Sequence, residues 1–249
     1  MTDVSQRQAH AVLDLPSREH KAEKIARLLG IPAMCGRHHL LEIGTGSGGI
    51  AHYFATLREP SFDVDAVDVK DARMVSEGYR FTQVHDTMLP FPDETFDLII
   101  SNHVIEHVGK QFQQAQHLEE IHRVLKPGGR AYLAVPNRWM LIEPHYGLLF
   151  LSWIPQSWRT PYLRLSGRGE FYDCEPLRKA ELERLVSAAQ LKYRNASVDA
   201  FRATLAIEGD KGVMARLAAS VPDSILRFFE RVIPTHIYLL EKGLATDGS

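Results

Sequence analysis

The stretch LLEIGTGSGG, residues 40–49, carries a glycine pattern that can hold a cofactor where a strand turns into a helix. Gly44, Gly46 and Gly49 fit G-x-G-x-x-G, which lets the backbone turn tightly and approach a dinucleotide pyrophosphate. The same stretch also fits E-x-G-x-G-x-G, with Glu42 two residues before the first glycine and Gly48 as the third. The two patterns predict different cofactors.

The charge of Glu42 separates the two interpretations. A pyrophosphate at a helix N-terminus is anionic, and a carboxylate at the end of the preceding strand would repel it. S-adenosylmethionine has no phosphate but carries a sulfonium and an ammonium group, so an acidic strand end suits it. Asp68, 24 residues after Gly44, can accept both hydroxyls of a ribose, and this position serves either cofactor.

Hydrophobic periodicity predicts the elements that position these residues. Predicted strands cover residues 40–43, 63–69, 81–85, 96–101, 130–135, 192–198 and 234–242. Predicted helices cover residues 17–29, 48–57, 72–77, 112–125, 176–189 and 212–232. Alternating strands and helices indicate a doubly wound α/β sheet, whose ligands bind beyond the carboxyl ends of the strands.

The alternation of predicted strands and helices is interrupted after the fifth predicted strand. Residues 138–170 contain several prolines and all three tryptophans, which is typical of a functional insertion. Its apolar residues are Trp139, Met140, Leu141, Ile142, Tyr146, Leu148, Leu149, Phe150, Leu151 and Trp153. Interrupting polar and proline residues exclude a membrane-spanning helix. Three interpretations stay open: a lid over an apolar acceptor, a peripheral membrane contact, or a homodimer contact.

Composition limits the class of protein. The chain has 249 residues, a formal net charge of −2 and scattered basic residues, so nucleic acid is not expected as a partner. Cys35 and Cys174 have no metal-ligand spacing, and no cluster of histidines and acids has it either, so no metal is expected. The polar beginning of the chain does not fit a secretory signal, which favours a cytoplasmic location.

Four blocks, in order and spacing, resemble the class I S-adenosylmethionine-dependent methyltransferases of the broad small-molecule group. They are LLEIGTGSGG, DAVDV, HDTMLPFPDETFDLIISNHVIEHV and HRVLKPGGRAYLAVPN, within residues 40–137. The resemblance implies a Rossmann-like, seven-stranded sheet with the last strand, at residues 235–241, antiparallel. It also implies one methyltransferase domain over residues 1–249, with an N-terminal helix at 17–37, a cofactor-binding core at 38–137, an acceptor insertion at 138–170 and a C-terminal part with an extra helical segment at 171–249.

The resemblance also assigns the cofactor-binding residues. Glu42, Gly44, Thr45, Gly46 and Gly48 would face the methionine and ribose part of S-adenosylmethionine. Asp68 would bind the ribose, Val69, Thr87 and Met88 would line the adenine, Asp86 would accept from its amino group, and the carbonyl of Asn102 would meet the ammonium.

Methyl transfer from a sulfonium is an in-line displacement, so a base is needed only where the acceptor is a hydroxyl. Histidine, with an ordinary pKa of about 6.5, is the natural base, and His145 and His107 are preferred to His103. A purely structural hydrogen bond is the alternative role for His107. The sequence therefore predicts O-methylation of a small, largely apolar or lipid-linked acceptor. The alternatives are a non-catalytic module that binds S-adenosylmethionine and an NAD(P)-dependent oxidoreductase.

Overall fold

The structure is a computed structural model that describes residues 14–143, 146–172, 174–208 and 220–244. The strands are β1 (Arg37–Ile43), β2 (Ser61–Asp68), β3 (Arg80–Gln83), β4 (Phe96–Asn102), β5 (Leu125–Pro136), β6 (Ile142–Glu143), β7 (Leu148–Leu149), β8 (Leu191–Asn195) and β9 (Thr235–Lys242). The helices are α1 (Leu15–Leu28), α2 (Gly49–Thr56), α3 (Gln111–Val124), α4 (Gln156–Leu165), α5 (Lys179–Ala188), α6 (Ser197–Glu208) and α7 (Asp223–Phe229), with a short 3-10 helix at Ile31–Ala33.

The central sheet has seven strands in the order β3-β2-β1-β4-β5-β9-β8. Strands β1 to β5 pair in parallel, whereas β9 is antiparallel to both β5 and β8. This topology confirms the predicted Rossmann-like sheet with an antiparallel last strand. Because β2, β1 and β4 are parallel neighbours, the residues that follow them meet at one edge of the sheet.

Helices cover both faces of the sheet, which explains why the central strands are nearly continuous apolar runs. On one face, Leu118 and Ile121 of α3 and Val186 of α5 pack against Leu41 and Ile99. The opposite face is packed by α1, α2 and α6; their buried residues include Ile25, Phe54 and Ala200, in one cluster with Leu40 and Leu98. The sheet is therefore held rigidly from both sides, as a site at its edge requires.

The predicted insertion after the fifth strand is confirmed as a β6–β7 hairpin followed by α4. It has its own small core, in which Tyr146, Leu148, Leu151, Leu163, Tyr172 and Cys174 are buried. Met140 is also buried, but the other apolar residues of the predicted set lie at the surface. These exposed residues are Trp139, Leu141, Ile142, Leu149, Phe150 and Trp153.

Two predicted helices, at residues 72–77 and 212–232, differ from the structure. Residues 72–77 form a loop, because its backbone is held by Ser47: the Ser47 carbonyl accepts from Met74 N at 2.9 Å and from Val75 N at 3.2 Å. Six residues are also too few for a helix without tertiary support. Sequence reasoning missed α6 and extended a strand to residue 198, whereas β8 ends at Asn195.

The predicted last helix, residues 212–232, lies partly outside the described residues, and its described part contains the shorter helix α7. Its Phe228 and Phe229 are 71% and 53% exposed, so they lie at the surface. Residues 126–129, between the predicted helix at 112–125 and the predicted strand at 130–135, belong to β5, whose pairing with β4 is irregular between Phe96 and Leu98.

Candidate active site

The glycine turn joins β1 to α2 at the carboxyl edge of the sheet. Gly44, Gly46 and Gly48 have φ values of +80°, +53° and +82°, which disfavour residues with a side chain. A Cβ on Gly44 would lie 2.4 Å from Cγ2 of Val104, and one on Gly48 would lie 2.1 Å from the Val75 carbonyl oxygen. Close packing on both sides therefore requires glycine at these two positions.

Asp68, the last residue of β2, lies directly beside this turn. Its Oδ2 accepts from the backbone N–H of Gly46 at 2.9 Å, and its Oδ1 accepts from that of Lys70 at 3.2 Å. The side chain is half-buried. A carboxylate can accept about four hydrogen bonds, so both oxygens keep acceptor capacity for a ligand. The structure thus brings together the predicted ribose-binding acid and the predicted glycine turn.

Glu42 has a different environment from the one predicted. It is 2% exposed, faces the helices rather than the open edge, and its Oε2 accepts from Ala51 N of α2 at 3.0 Å. Burial raises the pKa of Glu42 to about 8, while the Ala51 hydrogen bond and the charge of Arg18 act in the opposite direction. Glu42 therefore lies beneath the turn rather than on the open edge, and its contact with the cofactor stays a prediction. Near neutral pH this carboxyl is mostly protonated and ties α2 to β1.

The other predicted cofactor residues follow the neighbouring strands. Asp86 comes after β3 and accepts from Met88 N at 2.8 Å through its Oδ1. Thr87 is buried and its hydroxyl donates to Gln116 Oε1 at 2.6 Å, while Met88 is 52% exposed. The Val84 N–H donates to the carbonyl of Asp68 at 2.9 Å, which ties this loop to β2.

Three further predicted residues, Val69, Asn102 and Thr45, complete that edge. The carbonyl of Val69 accepts from the Gln83 side chain at 2.9 Å. Asn102 is the last residue of β4 and pairs with Ala134 of β5. Thr45 is buried in the glycine turn and its N–H donates to Val67 O at 3.3 Å. These positions agree with a cofactor lying across β2, β1 and β4, although the role of each residue stays a prediction.

Two of the three predicted bases gather around a buried acid after β4. Glu106 is 0% exposed; its Oε1 lies 3.2 Å from His103 Nδ1 and 3.9 Å from His107 Nε2. Burial raises the pKa of Glu106, but the His103 hydrogen bond and the charges of His103 and His107 outweigh it and hold the pKa below its usual value. The acid is therefore an anion that orients the two imidazoles. His145 lies outside the described residues.

His103 has a strained backbone, with φ of +59° immediately after β4. Its N–H donates to the Ala134 carbonyl at 3.0 Å, and its Nε2 lies 3.4 Å from Thr235 Oγ1. Residues in the left-handed region that carry a side chain cluster at functional sites. His107 has less freedom, since its Nδ1 lies 3.9 Å from Cys174 Sγ.

Sequence reasoning missed Glu106 as the centre of this group, and it missed the buried pair behind it. His117 of α3 lies 3.0 Å from Ser101 Oγ, and both side chains are buried. Burial lowers the pKa of His117 to about 4, although the charge of Glu106 acts to raise it. The spacing H-x-x-E-H at residues 103–107 was the available signal for Glu106. No comparable pattern marked His117.

The described residues contain no group of three or more histidine, cysteine or acidic side chains arranged to hold a metal ion. Within the same part of the chain, no helix has the length and apolar character needed to cross a bilayer.

Comparisons with known proteins match this region to one family. The model of that family, described as a methyltransferase domain, matches residues 41–133. The ubiquinone/menaquinone biosynthesis C-methyltransferase UbiE of Geobacter sulfurreducens is 33% identical over 131 residues, covering 47% of this chain and 49% of that protein. UbiE of Desulfotalea psychrophila is 26% identical over 174 residues, covering 64% of this chain and 69% of that protein. For four other curated relatives, the chain covers between 22% and 50% of their length.

A solved structure extends the likeness to nearly the whole chain. The cyclase SpnF has a TM-score of 0.56 at 16% identity, covering 96% of this chain and 86% of that chain. At this identity the likeness shows the fold alone. Since a cyclase shares it, the fold by itself does not establish the reaction.

Proposed function

Because residues 41–133 match the model of a methyltransferase domain, we propose that this chain uses S-adenosylmethionine to methylate a small, largely apolar or lipid-linked acceptor at oxygen. The observation that carries the proposal is the hydrogen bond between Gly46 N and Asp68 Oδ2 at 2.9 Å. It puts a carboxylate for a ribose beside a turn that only glycine can make.

The residues present fit the donor. The positive φ values of the turn leave bare backbone for a close approach, and Asp68 keeps acceptor capacity for two hydroxyls. When bound, S-adenosylmethionine supplies an electrophilic methyl group on a cationic sulfur. Asp68 is the half-buried acid at the open edge, whereas Glu42 is buried. The family match favours the methyltransferase over the oxidoreductase, since Asp68 can bind the ribose of either cofactor.

His103 is the described residue best placed to remove a proton from an acceptor hydroxyl. Its Nδ1 faces the ionised Glu106, which fixes the ring and stabilises the imidazolium that forms when the ring takes a proton. His107 holds the same acid from the other side, and we assign it a positioning role. A base of this kind supports attack by oxygen.

A carbon acceptor is the second candidate for the attacked atom, because the relatives named above are C-methyltransferases. A hydroxyl next to the attacked carbon would still need a base, so the His103–Glu106 pair serves both reactions. The apolar side of the acceptor would lie against the exposed surface of the insertion. There, Trp153 packs edge-on to Trp139 and Phe150, with ring centres 5.4 and 5.2 Å apart.

We assign this aromatic surface the role of a lid over the acceptor; membrane contact and homodimerisation are the competing roles. Light scattering and flotation with anionic vesicles separate the three, because a lid predicts a monomer that stays in the aqueous phase. A stable dimer would favour homodimerisation instead of the lid, and co-flotation with the vesicles would favour membrane contact.

The function is tested by measuring donor binding and turnover separately. Calorimetry with S-adenosylmethionine and S-adenosylhomocysteine should show binding that Asp68→Asn weakens at least about tenfold, since charge-assisted bonds are the strong ones. Asp63→Asn is the matched control, because Asp63 lies on the same strand but near its amino end and pairs with Arg37.

Transfer of a labelled methyl group to candidate phenols, quinols and lipid-linked hydroxyls then reports turnover, and mass spectrometry of the product separates O- from C-methylation. Donor binding with no product from any acceptor would favour the non-catalytic module. Binding of NADPH in preference to the donor would refute the proposal.

A further inference from the structure

A group of polar side chains is buried inside the insertion, away from the glycine turn. Arg159 of α4 is 1% exposed, Ser152 is 0% exposed and Tyr172 is 7% exposed. Arg159 donates from Nε to the Ile154 carbonyl at 3.1 Å and from Nη2 to the Ser152 carbonyl at 3.2 Å. Its guanidinium carbon lies 5.4 Å from the centre of the Tyr172 ring. We call Arg138, Ser152, Arg159 and Tyr172 the Arg159 cluster.

Each member of the Arg159 cluster has a buried polar atom with no hydrogen-bond partner among the described residues. These atoms are Arg159 Nη1, Arg138 Nε, Ser152 Oγ and the Tyr172 hydroxyl. Buried polar atoms are paired in the large majority of cases, and a buried donor left without an acceptor is unfavourable. All four atoms can donate a hydrogen bond. Unpaired donors gathered in one place indicate a ligand that is rich in acceptors.

The electrostatics of the cluster favour an anion. Burial lowers the pKa of Arg138, and the positive charges of the neighbouring Arg159 and Arg178 lower it further. Glu175 opposes this shift, but its Oε1 already accepts from the side chain of Gln156.

A second carboxylate, Glu143, lies near the hydroxyl end of the cluster. Burial raises the pKa of Tyr172, and the charges of Cys174 and Glu143 add to that effect. Glu143 Oε2 accepts from Tyr146 N at 2.9 Å. The Tyr172 hydroxyl therefore keeps its proton at neutral pH and acts as a donor.

The Arg159 cluster adjoins the group formed by the proposed base His103, Glu106 and the positioning residue His107. Cys174 follows Tyr172 by two residues, and its Sγ lies 3.9 Å from His107 Nδ1. The next residue, Glu175, donates from its N–H to the Glu106 carbonyl at 2.9 Å. An anion on the cluster would therefore hold the rest of its molecule close to His103 and His107.

We propose that the Arg159 cluster binds an anionic group, a phosphate or a carboxylate, carried by the methyl acceptor. The planar guanidinium matches the geometry of such oxyanions, and the two hydroxyls supply the remaining donors. This inference rests on the proposed function, because it names one part of the acceptor. The acceptor is then amphipathic, with its anionic end at Arg159 and its apolar body against the exposed aromatic surface.

The test is calorimetry with inorganic phosphate, inorganic pyrophosphate and benzoate as separate probes, in a chloride buffer. At least one probe should bind the unmodified chain, and which one binds separates phosphate from carboxylate. Arg159→Met and Tyr172→Phe should each weaken that binding at least about tenfold, because each removes a buried donor. Tyr172→Phe keeps the shape of the ring, so it decides the question if Arg159→Met does not fold.

Arg164→Met is the matched control. Arg164 lies on the same helix but is exposed, and its Nε donates to the Glu170 carbonyl at 2.7 Å. Its loss should change anion affinity by no more than about twofold, as for an exposed charge. An equal loss in Arg164→Met and Arg159→Met would overturn the inference, as would the failure of all three probes to bind.

Titration of S-adenosylhomocysteine into the same samples keeps the two proposals apart. Binding of S-adenosylhomocysteine without any anion binding overturns only the anion site. Anion binding that depends on Arg159 and Tyr172, without binding of S-adenosylhomocysteine, supports the site and overturns the proposed methyl transfer.

Discussion

Glu42→Gln tests whether the acid beneath the glycine turn is neutral in the folded chain. Burial moves the pKa of Glu42 from 4.5 to about 8, so the folded state holds this proton more tightly than the unfolded state. A raised folded pKa gives stability that is complete below pH 4.5 and is lost as the pH rises towards 8. Glutamine cannot ionise, yet its amide oxygen can still accept from Ala51 N.

The size of the effect follows from the two pKa values. Between pH 5 and pH 8, ionisation of Glu42 in the unfolded chain should lower the free energy of unfolding by roughly 3–4 kcal/mol, and Glu42→Gln should not show this loss. Urea denaturation followed by tryptophan fluorescence at pH 5, 6.5 and 8 measures the difference between the two proteins. As the pH rises from 5 to 8, the free energy of unfolding of Glu42→Gln should increase steadily relative to that of the unmodified chain.

The control is Glu23→Gln on the outer surface of α1, where Glu23 pairs with Arg27 and is 37% exposed. Its difference from the unmodified chain should stay nearly constant with pH. If the Glu42→Gln difference is equally constant, Glu42 is ionised in the folded chain. The acidic strand end deduced from the sequence would then be correct.

Three further predictions concern the same edge of the sheet. Burial lowers the pKa of His117 to about 4, so the free energy of unfolding should fall by about 3 kcal/mol as the pH falls from 6.5 to 4. In His117→Asn, the free energy of unfolding measured with urea should depend less on pH over that window. Gly48→Ala should lower the free energy of unfolding by about 1–3 kcal/mol and weaken binding of S-adenosylhomocysteine, because the new Cβ would meet the Val75 carbonyl. The control is Gly36→Ala, where φ is a similar +85° but a Cβ would meet nothing; calorimetry should show unchanged binding of S-adenosylhomocysteine. His103→Gln should lower the rate of methyl transfer at least about a hundredfold while affinity for S-adenosylhomocysteine changes little, and a rate unaffected at every pH would remove the histidine from the mechanism.

The parts of the fold that depend on local pattern could be predicted from the sequence. The glycine turn follows from residues 40–49 alone, since no other residue type adopts these φ values beside closely packed neighbours. The number of strands and the antiparallel last strand came instead from the resemblance of four blocks to a family. The loop at residues 70–79 could not be predicted, because the carbonyl of Ser47, distant in sequence, holds it in place.

The site was predictable in residue type but not in environment. A sequence shows that Glu42 is an acid, but its charge depends on burial, which is a tertiary property. Arg159 was overlooked for the same reason, because it reads as one of several arginines in a polar segment until α4 packs it inside. The spacing of His103, Glu106 and His107 did carry a local signal, and the structure adds which imidazole faces the acid more closely.

The position of β9 between β5 and β8 also bears on how the chain is made in the cell. Strand β8 is paired to the described sheet only through β9, which follows it by some forty residues. A nascent chain must therefore expose the open edge of β5 until the ribosome has released residue 242. Premature stop codons before residue 235 should yield products that pair edge to edge and precipitate rather than fragments with partial activity.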